Sequence, residues 1–160
     1  MNDVCIVSAV RTAVGSLGKS LKSIKAEELG SSVISNSMKK LSLKDKEVNE
    51  VIMGQVLTGG SGQNPARQAA MRSGISKETP AYVVNQVCGS GIRSVVSGYQ
   101  SIKSGDSNII ISGGQENMSL APHAIHLRDG KKLGDAELMD TMIKDGLSLI
   151  HISEPTRRYS

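Results

Sequence analysis

The sequence contains no phenylalanine and no tryptophan, and its only aromatic side chains are Tyr82, Tyr99 and Tyr159. A core without large rings must be filled by Ile, Val, Leu, Ala and Met, which suits a layered α/β protein whose buried strands are rich in β-branched residues. Cysteine is equally scarce. Cys5 and Cys88 are the only two, and no C-x-x-C pair, H-E-x-x-H helix or Cys/His cluster accompanies them, so the sequence points away from a metal site. No apolar run reaches the roughly 18 residues that a membrane-spanning helix needs. Positive charge is not concentrated either: the net charge of +4 comes from scattered lysines, without the basic stripe and stacking aromatics of a nucleic-acid surface. Neither a membrane nor a nucleic acid is an expected partner, whereas an anionic small molecule remains compatible with the charge.

What is present is 160 residues, 38% of them apolar. That is a one-domain length, able to bury about two-thirds of its unfolded surface. The N-terminus enters an apolar segment after three residues without a basic leader, so no secretory or organellar signal is expected and the cytoplasm is the default. In that setting Asn117-Met118-Ser119 matches a glycosylation sequon by chance.

Periodicity predicts alternating strands and helices. Val4–Val10 is a short apolar run that reads as a central strand, which would make Cys5 a core residue. Ala26–Leu41 reads as a helix with Ala26, Leu29, Val33, Ile34, Ser37, Met38 and Leu41 on one face, Glu27 and Glu28 in its first turn, and Lys39 and Lys40 in its last. Val51–Val56 is a second strand leading into the glycine-rich loop Thr58–Gln63. Asn64 can cap the next helix, with Pro65 at its first position and Gly74 beyond its end. Ala81–Val87 is a third strand, Gly91–Lys103 a helix stopped by Gly105, and Asn108–Ser112 a fourth strand. Short connections between alternating elements imply parallel pairing with right-handed crossovers. The expected fold is a layered α/β domain, its mainly parallel sheet covered by helices on both faces. After Ser119 the chain turns polar, carries His123, His126 and Arg128, and shows no clear strand up to residue 147.

The segment Asn85–Arg93 (NQVCGSGIR) is the most informative. Cys88 leaves a buried strand immediately before a helix and is followed by Gly89 and Gly91. The helix N-terminus favours thiolate over thiol, the glycines permit a tight turn that pushes the sulfur out of the sheet edge, and the Cys88 N–H is placed to stabilise a developing oxyanion. A thiolate is also a good acyl acceptor and leaving group. Packing alone would equally place a small cysteine at a helix start, and the local sequence supplies no base. Other motifs are weaker. Gly89-x-Gly91-x-x-Ser94 lacks the third glycine and the later acidic residue of a dinucleotide fingerprint, and Gly59-Gly60-Ser61-Gly62 lacks a lysine in the Walker position. His123 and His126 read as solvated loop histidines.

Several motifs together resemble the thiolase family, most closely its biosynthetic acetyl-CoA acetyltransferases. They are Ala9-Val10-Arg11-Thr12 with Val14-Gly15, Glu50–Gln55 (EVIMGQ), Gly62–Ala70 (GQNPARQAA), Asn85–Gly91 (NQVCGSG) and Gly113-Gly114-x-Glu116-x-Met118-Ser119. His126-Leu127-Arg128-x-Gly130 and the Asp140–Leu147 stretch extend the likeness. The resemblance implies that Cys88 is the nucleophile that takes the acyl group, with its own N–H in the oxyanion hole. It also implies condensation of two acetyl-CoA to acetoacetyl-CoA, reversible by thiolysis, with ping-pong kinetics. CoA thioesters would enter as substrates; no metal or prosthetic group would be needed, and no residue of this chain is assigned to binding CoA. The implied fold is the N-terminal half of a two-half α/β protein assembled as a homo-dimer or homo-tetramer. Residues 1–119 would be the incomplete N-terminal α/β domain and 120–147 the start of an inserted loop domain.

Residues 148–160 (SLIHISEPTRRYS) do not continue the family pattern, so His151 is expected to play no part. Family members are more than twice as long and take the activating histidine, a second cysteine and a water-positioning asparagine from later segments. The 160 residues alone are therefore expected to be inactive. A degradative 3-ketoacyl-CoA thiolase, or a non-catalytic α/β dimerisation module, are the alternatives.

Overall fold

The structure is a computed structural model that describes residues 3–147. Helix α1 (Ala26–Leu41) leads into strand β1 (Glu50–Gly54), followed by α2 (Pro65–Arg72), β2 (Ala81–Val84), α3 (Ser90–Ser104) and β3 (Ile110–Gly114). The three strands form a parallel sheet in the order β2-β1-β3. Register is what matters for function. Gly54 lies opposite Val84 on one side and Gly114 on the other, so all three strands finish level at one edge of the sheet.

The side chains of β1 alternate between two apolar layers, as a pleated strand requires. Val51 and Met53, at 0% and 1% exposure, join Ile34 and Met38 of α1, Ala66, Ala69 and Ala70 of α2, and Val48 and Ile75 in the core. Ile52, also at 0%, shares the opposite face with Gly54, against α3. Helices therefore cover both faces, as expected.

Helices α2 and α3 pack closely because small residues line their inner sides. On α3 these are Ser90, Ser94 and Gly98, all buried. A Cβ on Gly98 would sit 2.5 Å from Ser112 Oγ, and Ser94 Oγ lies 2.7 Å from the carbonyl oxygens of both Gly91 and Gly113. The larger side chains of α3, Ile92, Val95, Val96 and Tyr99, lie on its exposed side. Helix α2 starts as predicted: Asn64 Oδ1 accepts the Arg67 N–H at 3.1 Å, with Pro65 in the first turn. Its polar residues Arg67 and Gln68 serve the scaffold. Arg67 donates to the carbonyls of Lys77 and Thr79, and Gln68 to those of Ser61 and Gln63.

Two expectations fail. Val4–Val10 is not a strand, and Cys5, Ile6 and Val7 are exposed rather than buried. β-Branched residues favour extended backbone, but a strand also needs a ladder partner. Both sides of β1 are occupied by β2 and β3, and among the described residues no backbone hydrogen bond reaches residues 4–10. Second, the polar stretch after Ser119 does contain strands, β4 (His123–Ala124) and β5 (Met139–Asp140), which pair antiparallel beyond a short 3₁₀ turn at Met118–Leu120. Two-residue strands carry too little periodicity to be read from sequence. The expected division at residue 119 falls inside that turn, and the expectation for residues 148–160 lies outside the described residues.

Candidate active site

Strand β2 ends at Val84, and the chain reaches α3 through a turn that is held by side chains. Asn85 Oδ1 accepts the Val87 N–H at 2.9 Å. The Gly89 N–H donates to Gln86 O, and the Ser90 N–H to Val87 O, each at 3.0 Å. The Ser90 hydroxyl donates to Val87 O at 2.6 Å and accepts the Gln86 N–H at 2.8 Å. Val87 consequently adopts φ 48°, a left-handed conformation that costs a residue with a Cβ about 1–2 kcal/mol. The glycines were expected to supply the unusual backbone here, but Gly89 has φ −83° and Gly91 is inside the helix. The close approach here is made possible by a glycine of β1 instead. A Cβ added to Gly54 would lie 2.4 Å from the carbonyl carbon of Ser90 and 2.6 Å from the Gly91 nitrogen. The first turn of α3 thus rests directly on the end of β1.

Cys88 emerges from this turn as an exposed free thiol. Among the described residues no hydrogen bond uses its N–H, because the turn consumes those of Val87, Gly89 and Ser90. Cys88 lines a cavity of about 480 Å³ at the carboxyl edge of the sheet, the edge at which open parallel sheets place their ligands. Val56, Leu57, Val87, Met118 and Leu147 make most of its wall apolar.

Beneath the cavity two buried amides orient each other. Gln55 Nε2 donates to Leu57 O at 3.0 Å, which turns Gln55 Oε1 toward Gln115, whose Nε2 donates to it at 2.9 Å. The remaining Gln115 oxygen is buried without a partner among the described residues and fills the space left by Gly30, where a Cβ would lie 1.9 Å from it. Beside this pair, Glu116 accepts the Val56 N–H at 2.8 Å and the Leu57 N–H at 3.3 Å, joining the continuation of β3 to that of β1. Burial raises the Glu116 carboxyl above its ordinary value of 4.5, and the two N–H groups only partly offset this. Glu116 and Cys88 are the titratable side chains of the cavity wall among the described residues.

Of the candidate reactive side chains named from the sequence, Cys88 alone reaches the cavity among the described residues. Cys5, His126 and the loop 59–62 do not line it. His123 lies in β4, 57% exposed, with Nε2 3.9 Å from Asp140 Oδ2. No group of three or more potential metal-ligating side chains occurs among the described residues, nor any helix long and apolar enough to cross a membrane. Sequence reasoning gave no role to Gln55, Gln115 or Glu116. Their signal was membership of the EVIMGQ and GGQENMS segments.

An exposed thiol at a sheet edge, facing a largely apolar cavity, has the chemistry to accept an acyl group on sulfur. Comparison with known sequences gives the family. The profile of the thiolase N-terminal domain matches residues 4–155, and the chain belongs to the thiolase family. It is 55% identical over 148 residues to an acetyl-CoA acetyltransferase of Cupriavidus necator, covering 92% of this chain and 38% of that protein. It is 52% identical over 143 residues to an acetyl-CoA acetyltransferase of Shinella zoogloeoides, covering 89% of this chain and 36% of that protein. A rat protein named acetyl-CoA acetyltransferase, cytosolic, is 46% identical over 145 residues, or 91% of this chain and 36% of its own length. The chain thus spans less than two-fifths of these relatives.

Two outcomes follow from this geometry. Gly54→Ala should lower stability by about 1–3 kcal/mol in urea denaturation, since the backbone of Ser90 and Gly91 must move to admit the methyl group. An unchanged midpoint would show that α3 is not held at this contact. Glu116 has a raised folded pKa, so its stabilising contribution is complete below about pH 4.5 and is lost as pH rises through the folded value. Glu116→Gln cannot ionise. Its stability relative to wild type should therefore improve as pH rises from about 4 to about 7, and a gap independent of pH would contradict the assignment.

Proposed function

We propose that Cys88 is the acyl-accepting nucleophile of an acetyl-CoA acetyltransferase. The observation that carries this reading is the exposed Cys88 thiol in the wall of the cavity, with its N–H left unused by the turn that presents it. In the first half-reaction Sγ attacks the thioester carbonyl of acetyl-CoA, and the Cys88 N–H donates to the oxygen as it becomes negative. Collapse breaks the bond to the CoA sulfur, releases CoA and leaves an acetyl thioester on Cys88. In the second, a second acetyl-CoA loses a proton from its methyl carbon, and the carbanion attacks the acetyl group. Acetoacetyl-CoA forms and the Cys88 sulfur is freed; thiolysis is the same sequence reversed.

The relatives' names support acetyl-CoA as the substrate. The cytosolic rat relative supports a cytoplasmic setting, and assembly as a homo-dimer or homo-tetramer belongs to the same reading. CoA thioesters are substrates here, and no metal or prosthetic group is invoked.

Residues 3–147 hold only part of the machinery. No histidine lines the cavity among the described residues, and the oxygens of Glu116 already accept two backbone N–H groups. A proton acceptor for the methyl carbon must therefore come from elsewhere, and general acid–base help is worth about 10²–10⁴-fold. The 160-residue chain alone is expected to produce no measurable acetoacetyl-CoA. In the full-length protein, acetyl-CoA with a labelled acetyl group should label Cys88, located by peptide mapping. Label on any other residue, or turnover by the 160-residue chain alone, would sink the respective half of this reading.

A further inference from the structure

Ser90 stands at the first position of α3, one residue past the capping position at which a serine commonly accepts one of the helix's unsatisfied N–H groups. It does not do so here. The residue before it, Gly89, caps the helix without a side-chain bond, and the Ser90 hydroxyl turns backward to the strand end. There it accepts the Gln86 N–H at 2.8 Å and donates to Val87 O at 2.6 Å. Asn85 completes the arrangement from the other side, its Oδ1 accepting the Val87 N–H at 2.9 Å. Both backbone groups of Val87, a β-branched residue at φ 48°, are therefore held by side chains. Bulky residues keep such a backbone only where the surroundings fix it. Cys88 follows immediately, so the direction of its N–H and the aim of its sulfur are set by that conformation. Ser90 is buried while Asn85 is exposed, so the two reach the turn from opposite environments.

We infer that Ser90 and Asn85 are positioning residues for Cys88: their side chains hold Val87 left-handed so that the Cys88 sulfur and N–H address the same carbonyl group. The inference rests on the reading of Cys88 as acyl acceptor and adds the residues that make it competent. Neither side chain needs to touch the substrate. Alkylation and acylation should therefore respond differently to their loss. Attack on iodoacetamide needs only an accessible thiolate, whereas attack on a thioester also needs the N–H aimed at the developing oxyanion.

The test uses the 160-residue chain carrying Cys5→Ser, so that Cys88 is the only thiol. Acetylation by S-phenyl thioacetate and alkylation by iodoacetamide are each followed by mass spectrometry, with the unfolding midpoint measured in parallel. Ser90→Ala should slow acetylation by about tenfold or more while changing alkylation by less than about twofold, and Ser90→Thr should restore most of the acetylation rate. Asn85→Ala, at an exposed position, should show the same split and decides the matter if Ser90→Ala does not fold. The inference is overturned if the alanine variants acetylate like an active parent, or if acetylation and alkylation fall in proportion with the unfolding midpoint. A parent that alkylates but takes no acetyl group would also overturn the inference, because the turn would then not bring sulfur and N–H to one carbonyl group, whereas the acyl-acceptor reading is decided by labelling of the full-length protein. Variants matching an active parent leave that reading standing.

Discussion

The site depends on one close approach, that of the first turn of α3 to the end of β1. It exists because Gly54 has no side chain: a single methyl group there would overlap the backbone of Ser90 and Gly91. Interior packing is dense enough that so short a contact cannot be absorbed without moving an element. At Gly114, level with Gly54 across the ladder, an added Cβ would lie 3.6 Å from the Gly91 Cα, an ordinary contact, so the constraint rests on Gly54. Gly54 lets a helix start sit on the carboxyl edge of the sheet, and Cys88 is the second residue before that start.

Around this contact polar groups are used sparingly and almost all are committed. Glu116 braces two backbone N–H groups, the Gln55–Gln115 pair fixes its own orientation through Leu57 O, and Ser90 and Asn85 hold the turn. Among the described residues the exceptions are the buried Gln115 Oε1 and the Cys88 N–H, and only the latter adjoins a thiol. A donor beside an exposed sulfur in a largely apolar cavity is suited to a carbonyl group, whose oxygen gains charge as the sulfur adds. The same commitment leaves the cavity wall without a free carboxyl group among the described residues, since that of Glu116 is occupied as a structural acceptor.

Much of this was legible from sequence, and the parts that were not share a cause. The helix over 26–41 follows from apolar spacing and end signals, the one read over 91–103 from its stop at Gly105, and the turn at Cys88 from a strand pattern giving way to a helix pattern. The left-handed residue was not legible, because glycine is the usual signal and Val87 is held there by Asn85 and Ser90 instead. Val4–Val10 shows the opposite failure, a strand-like composition without a ladder partner among the described residues. Gln55, Gln115 and Glu116 meet only when strand ends distant in sequence are brought level, as Gly54 and Gly114 are. Propensity acts locally, whereas ladder partners, side-chain staples and buried amide pairs are set by tertiary neighbours.

The central claim is that this turn presents both the sulfur and the N–H of Cys88 to one acyl group. A crystal structure of the protein after exposure to acetyl-CoA addresses it directly. The predicted result is an acetyl thioester on Cys88 Sγ, its carbonyl oxygen about 3 Å from the Cys88 nitrogen, with Val87 still left-handed. An acetyl group on another residue, or one on Cys88 whose oxygen points away from that N–H, would contradict the account.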